Sequence, residues 1–201
     1  MYPVGRALLE LALSRRLPPL GLDRPHVSHH RCWPWDLDML GELNNGRTLT
    51  LFDLGRLPLF QRSGMWHAAK RQGWTMTMAG ASVRYRRRVR AFDRLSMVSG
   101  FAGRDARFFY ITQSFWRGDE ATTSALYRAA VTDAAGVVPP DRVLQAMGRP
   151  GWNPALPRWI VDRTEAEAAP VHARFFSPDV TAVKNRDRHK LYVYECGREC
   201  N

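Results

Sequence analysis

Cysteine is scarce in this sequence, and acid is short. The three cysteines among 201 residues, Cys32, Cys196 and Cys200, form an odd set with no C-x-x-C pair. That pattern fits neither a disulfide framework nor a four-ligand zinc site, and it points to a reducing cytosol. Long hydrophobic runs are missing too. The apolar stretch from Ala7 to Leu13 is broken by Glu10 and falls far short of the ~20 residues a membrane span needs; no small-residue cleavage site follows it. Neither a signal peptide nor a transmembrane helix is expected. Asp and Glu number 19 against 30 Lys and Arg, which leaves a net charge of +11 and a pI near 10.4. Such an excess favours a polyanionic partner: nucleic acid, a membrane surface or a phosphate-bearing small molecule. What is present is otherwise ordinary. Hydrophobic residues at 45% and charged residues at 24% exclude disordered, collagen-like and coiled-coil classes, and the length fits one domain with appendages.

Leu8, Leu9, Ala12 and Leu13 fall at helical spacing with Arg15 and Arg16 behind them, which predicts a short amphipathic helix. Packing on the protein is its favoured placement, with peripheral membrane contact as the alternative. The proline-rich segment from Leu17 to Pro25 separates residues 1–26 from a domain expected over 27–149, so deleting the helix should leave that domain folded. Within the domain, His30 to Trp35 reads as a strand entering a turn. Asn45 then caps a helix with Leu49, Phe52, Leu57 and Phe60 on its apolar positions, weakened or bent at Gly55 and Pro58. Four β-like runs follow: Thr75 to Phe92, Leu95 to Ala102, Arg107 to Trp116 and Thr122 to Thr132. The order predicts an α+β domain, a long helix across one face of a bent antiparallel sheet. PPDRVLQAMG reads as a closing helix, and 150–201 as an extension whose HKLYVYECGREC segment is either a strand or disordered.

The stretch from Trp35 to Arg47 carries two aspartates, Asp36 and Asp38, and two carboxamides, Asn44 and Asn45, between a strand and a helix. A helix start presents unpaired N–H groups and a positive dipole end, suited to polarise a carbonyl, and a carboxylate opposite would complete a hydrolytic pair. Equally, Asp36 and Asp38 are residues that turns favour, and Asn45 is an ordinary cap.

D-x-D-x-x-G-x-x-N-N-G-R-x-L-x-x-x-D-x-G-R, read from Asp36 to Arg56, resembles the opening of hotdog-fold acyl-CoA thioesterases of the 4-hydroxybenzoyl-CoA thioesterase type. The resemblance runs to about Asp133 and is closest to the branch that includes thioesterase superfamily member six of animals. It implies a hotdog fold, a homodimer or dimer of dimers, sites at the subunit interface, and cleavage of an acyl-CoA to acid and CoA without metal or organic cofactor. A non-catalytic acyl-CoA or lipid-binding protein is the alternative. Asp38 matches the family's catalytic aspartate. A backbone amide near Gly46 and Arg47 would hold the carbonyl oxygen, and Asp36, Gly41, Asn44 and Asn45 would shape the loop. The chain departs from the family at Glu42, where a histidine is common, and at Thr48, where an aromatic is usual.

In a strand, Arg84, Arg86, Arg88 and Arg90 would share one face, with Val83, Tyr85 and Val89 opposite and Arg87 the misfit. Arg84, Arg86 and Arg88 would then suit the phosphates of CoA; a solvated charged face is the alternative. Aromatics between Phe108 and Trp116 invite an RNA-binding reading. Alternation nevertheless assigns Phe109, Ile111 and Phe115 to the core, which makes nucleic acid the weaker partner. His189, Cys196 and Cys200 have the wrong spacing for common zinc sites.

Overall fold

The computed structural model describes residues 2–168. Its first compact unit spans Met1–Pro157. Helix α1 (Val4–Ser14) leads to strand β1 (His26–Arg31), and a single 3₁₀ turn (Pro34–Asp36) precedes helices α2 (Asn45–Ser63) and α3 (Met65–Gln72). Strands β2 (Thr75–Tyr85), β3 (Arg94–Arg104), β4 (Phe109–Arg117), β5 (Glu120–Asp133) and β6 (Gly136–Val138) follow, and α4 (Pro140–Ala146) closes the unit's regular structure. The second unit, Arg158–Asn201, contributes α5 (Arg158–Ala168), with an Arg158–Asp162 pair one turn apart at 3.1 Å. The tail segment HKLYVYECGREC lies outside the described residues.

The sheet is antiparallel throughout, in the order β1-β3-β4-β5-β2, with β6 on β5. Register shifts at Met78/Gly80, Phe101/Gly103 and Phe115/Trp116 insert bulges, and such bulges bend strands around a core. The expected α+β architecture of a long helix against a curled sheet is present. Phe109, Ile111 and Phe115 are buried as alternation assigned them, and Phe115 stacks on Phe52 of α2 at 4.6 Å.

Two residues expected to weaken α2 sit inside one uninterrupted helix. At Gly55 the reason is close approach. A Cβ there would stand 2.5 Å from Ser99 Oγ and 2.8 Å from Met97 Sδ, so glycine lets α2 lie directly on β3. Gly64 (φ +84°) then breaks the helix before α3.

Two strand boundaries differ from the sequence reading. Strand β1 begins at His26 rather than His30, because it pairs with β3 from His26↔Ser99 to Arg31↔Arg94 while Pro34 ends extension. Strand β2 stops at Tyr85 rather than Phe92. Thr122 O accepts from both Arg86 N–H (2.8 Å) and Arg87 N–H (3.1 Å), a pinch that ends the ladder. The first unit runs on to Pro157. Trp152 donates its indole N–H to Asp23 (2.7 Å) and packs edge-on against Phe101, while Leu156 fills the space at Gly103.

Helix α1 is likewise fastened to the domain. Arg6 pairs with Asp36 at 2.8 Å, Glu10 Oε1 lies 3.6 Å from His30 Nδ1, and Ser14 Oγ lies 3.1 Å from the Gln61 carboxamide. The side turned to the domain is thus mostly small and polar, with Leu11 the one leucine of the helix half-buried on it. Leu8, Leu9 and Leu13 face outward, opposite to what an amphipathic helix packed on a soluble protein leads one to expect. Removing α1 would therefore uncover charged and polar groups rather than trim an appendage.

Candidate functional site

Four segments converge at the N-terminus of α2: the 3₁₀ turn, the hairpin-like loop from Leu37 to Asn44, the first turn of the helix, and the loop between β2 and β3. A single bridge, Leu37↔Leu43, closes the first loop. Leu43 N–H donates to Val89 O (2.8 Å), and Glu42 pairs with Arg88 at 3.0 Å, so the two loops are tied together. Gly41 holds φ +73° at the turn.

The two aspartates have different fates. Asp36 is buried, with Oδ1 accepting from Arg47 Nε (2.6 Å) and Oδ2 from Arg6 (2.8 Å) and Trp33 N–H (3.1 Å). Burial alone would raise its carboxyl, but the hydrogen bonds from Arg47, Trp33 and Arg6 override that and hold it below the usual carboxylate range. Asp36 is a hub that joins α1, the loop and α2. Asp38 is half-buried at the turn. Its Oδ1 accepts from Leu40 N–H (2.9 Å) and Glu42 N–H (3.4 Å), while Oδ2 takes no part in the turn. Beyond it, Met39 and Leu40 project at 98% and 77% exposure.

The helix is capped one residue earlier than expected. Asn44, not Asn45, is the N-cap, and its Oδ1 accepts from Arg47 N–H at 3.0 Å. Arg47 is therefore occupied twice, its amide by the cap and its guanidinium by Asp36. The Gly46 N–H, one position earlier in the first turn, has no carbonyl four residues back inside the helix. Asn45 contributes its carbonyl, which accepts from Tyr85 OH at 3.1 Å.

Two cavities flank this helix start. One of about 240 Å³ is lined by Glu42, Asn45, Thr48, Tyr85, Arg86 and Arg88 among others. The other, about 980 Å³ and mostly apolar, lies among Tyr2, Gly5, Trp35, Leu37, Gly46 and Thr50. The arginine row is not a strand face, because β2 ends first. Arg86 and Arg88 are brought to the smaller cavity by the loop, whereas Arg84 lines a different depression, which Arg86 also borders, together with Asp119 and Glu120. Arg87, the misfit of the strand reading, pairs with Glu120.

Several contributors escaped sequence reasoning. Arg56 is buried, hydrogen-bonds Gln113 (2.9 Å), pairs with Asp53 and lies over the Tyr127 ring at 4.3 Å. The Tyr2 hydroxyl is pushed up to about 12 by burial and by the neighbouring Asp53 carboxylate. Trp33 stacks on Trp35 at 5.3 Å and meets the edge of Phe92, giving the loop an aromatic wall. Of this set, only Asp53 and Arg56 belong to the D-x-G-R stretch of the sequence motif.

Beneath α1, His26 and His30 are buried, and His30 Nε2 lies 2.8 Å from Ser28 Oγ. Burial first, then Arg62, lowers His26 to about 4; burial first, then Arg6, lowers His30 to about 3. Their unfolded values lie near 6.5, so the unfolded chain binds protons that the folded chain refuses below that pH. Stability present above pH 6.5 is expected to fall as the pH drops toward 4, with a limiting slope of ~1.4 kcal/mol per pH unit for each histidine. Denaturant midpoints measured from pH 7.5 to 4.5 check this. His30→Gln, which cannot titrate, should flatten the fall, and midpoints level across the range would contradict it.

The profile of the thioesterase-like superfamily matches residues 32–147. The Xenopus laevis protein THEM6 is 31% identical over 156 residues, covering 75% of this chain and 73% of the relative. Among solved structures, the probable thioesterase YbaW of Escherichia coli superposes with a TM-score of 0.58 at 14% identity, over 62% of this chain and 97% of that one. A DHNA-CoA thioesterase from Staphylococcus aureus gives 0.52 at 13% identity, over 74% and 95%. At such identities these superpositions speak for the hotdog fold alone.

Proposed function

This chain belongs to the thioesterase-like superfamily, and on that premise we propose that it hydrolyses an acyl-CoA thioester to the free acid and CoA. The observation that carries the reading is the division of labour between the aspartates. Asp36 is consumed in holding the loop to α1 and α2, whereas Asp38 is fixed through one oxygen and keeps the other for chemistry.

In the proposed reaction Asp38 either deprotonates a water that attacks the thioester carbonyl or attacks it directly. The Gly46 N–H, at the positive end of the α2 dipole, stabilises the oxygen as it gains charge. The carbon–sulfur bond breaks, the thiolate takes a proton, and water supplies the acid's new oxygen. The exposed tip of Met39 and Leu40 supports packing of this loop on a second copy of the chain, which would complete the site.

Arg86 and Arg88 on the smaller cavity are the proposed contacts for the CoA phosphates. Both are exposed, so Arg86→Ser with Arg88→Ser should leave folding nearly unchanged. We expect KM for acyl-CoA to rise about tenfold with kcat within a factor of ~3, as loss of uniform binding requires. An unchanged KM would remove these arginines from the site. Thiol release from acyl-CoAs of graded length tests the whole reading. The second reading, a non-catalytic acyl-CoA binder, draws on Glu42, which stands where the family commonly has histidine and is spent on Arg88. It predicts binding without thiol release.

A further inference from the structure

We infer that the outward face of α1 docks this protein on anionic lipid surfaces. At about 100° per residue, Val4, Leu8 and Ala12 lie on one side of the helix, flanked by Leu9 and Leu13. All five are exposed, with Leu8 at 62% and Leu9 and Val4 at 56%. The opposite side, Arg6, Ala7, Glu10, Leu11 and Ser14, is the one the domain covers or half covers, and of the four leucines of α1 it takes in Leu11 alone. A helix whose only role was to pack on its own domain would be turned the other way, since burying the leucines removes more apolar surface from water. The polar side is instead committed by the contacts to Asp36, His30 and the Gln61 carboxamide, which leave the apolar side presented as a fixed surface.

The occupant follows from charge and size. The sole acidic residue of α1, Glu10, is on the inward side, and the helix is followed by two exposed arginines, Arg15 and Arg16, in a chain of net charge +11. An apolar stripe bounded by cations matches the boundary between anionic headgroups and acyl chains. Trp35, 67% exposed, and Tyr2 share a cavity wall with Val4 and Gly5, which places interfacial aromatics beside the stripe. The helix is eleven residues, ~16 Å long and ~10 Å across. That footprint is far smaller than the ~800 Å² per partner of a standard protein interface, whereas lipid insertion has no such threshold. No described helix is long and apolar enough to cross a membrane, so the contact would be peripheral.

The test uses the full chain and needs no enzymatic assay, so it is independent of the thioesterase reading. Flotation is measured with vesicles of phosphatidylcholine, with and without one-third phosphatidylglycerol. The parent should float with the anionic vesicles and weakly with the neutral ones. Leu8→Gln, Leu9→Gln and Leu13→Gln together should cut the floated fraction at least about tenfold at unchanged melting temperature and molecular mass. Should that variant misfold, Arg15→Gln with Arg16→Gln serves, and a loss of roughly fivefold per arginine on anionic vesicles is expected. A parent that stays lipid-free, a leucine variant that floats like the parent, or one that loses a solution dimer the parent forms would overturn the inference. The last result would assign the face to a second copy.

Discussion

Asp36→Asn is expected to lower the unfolding free energy by about 3 kcal/mol, although the sequence gives the residue the appearance of an ordinary turn aspartate whose amide replacement should be harmless. Its carboxylate is fully buried between two guanidinium groups that are themselves only 22% and 15% exposed. An asparagine offers one acceptor, so its NH₂ must face one arginine, donor against donor. It also leaves that charge in a poorly solvated place. The partial exposure of Arg6 and Arg47 keeps the loss at the lower end of what a broken buried pair gives. For a chain of this size the melting temperature should drop by roughly 10 °C. Thermal and urea unfolding check it, and a change below ~1 kcal/mol would mean that the hub is not holding α1 and α2 together.

Asp38→Asn should do the reverse: little to stability, much to turnover. Asparagine keeps the Oδ1 acceptor that receives Leu40 N–H and Glu42 N–H, so the turn survives the substitution. What it removes is the negative charge needed to activate water or attack the carbonyl. We expect kcat to fall ~100-fold or more, with KM within a few-fold and melting within about 2 °C of the parent. A purely structural role for Asp38 has no means of producing that split.

How much of this was legible depended on whether the deciding contact is local. The β meander could be read because alternation is local: Phe109, Ile111 and Phe115 point inward for reasons contained in their own strand. The cap of α2 was placed one residue late because Asn44 and Asn45 are equally good caps by type, and only the bond to Arg47 N–H distinguishes them. The end of β2 is set by Thr122, more than thirty residues downstream, so nothing in the arginine run itself announces it. Asp36 differs from Asp38 through the partners it gathers, Arg47, Trp33 and Arg6, and Arg6 comes thirty positions earlier in the chain, on a helix that reads from sequence as detachable. For α1, periodicity defined a stripe and left open which side the domain would cover.

Hydrolysis of an acyl-CoA thioester by this chain can be followed as free thiol with substrate in large excess over protein. Steady release is expected that continues past one equivalent, scales with protein concentration and is all but lost in Asp38→Asn. Saturable binding of the same acyl-CoA by the folded parent, with no thiol released at any chain length, would contradict it and leave a binding protein in its place.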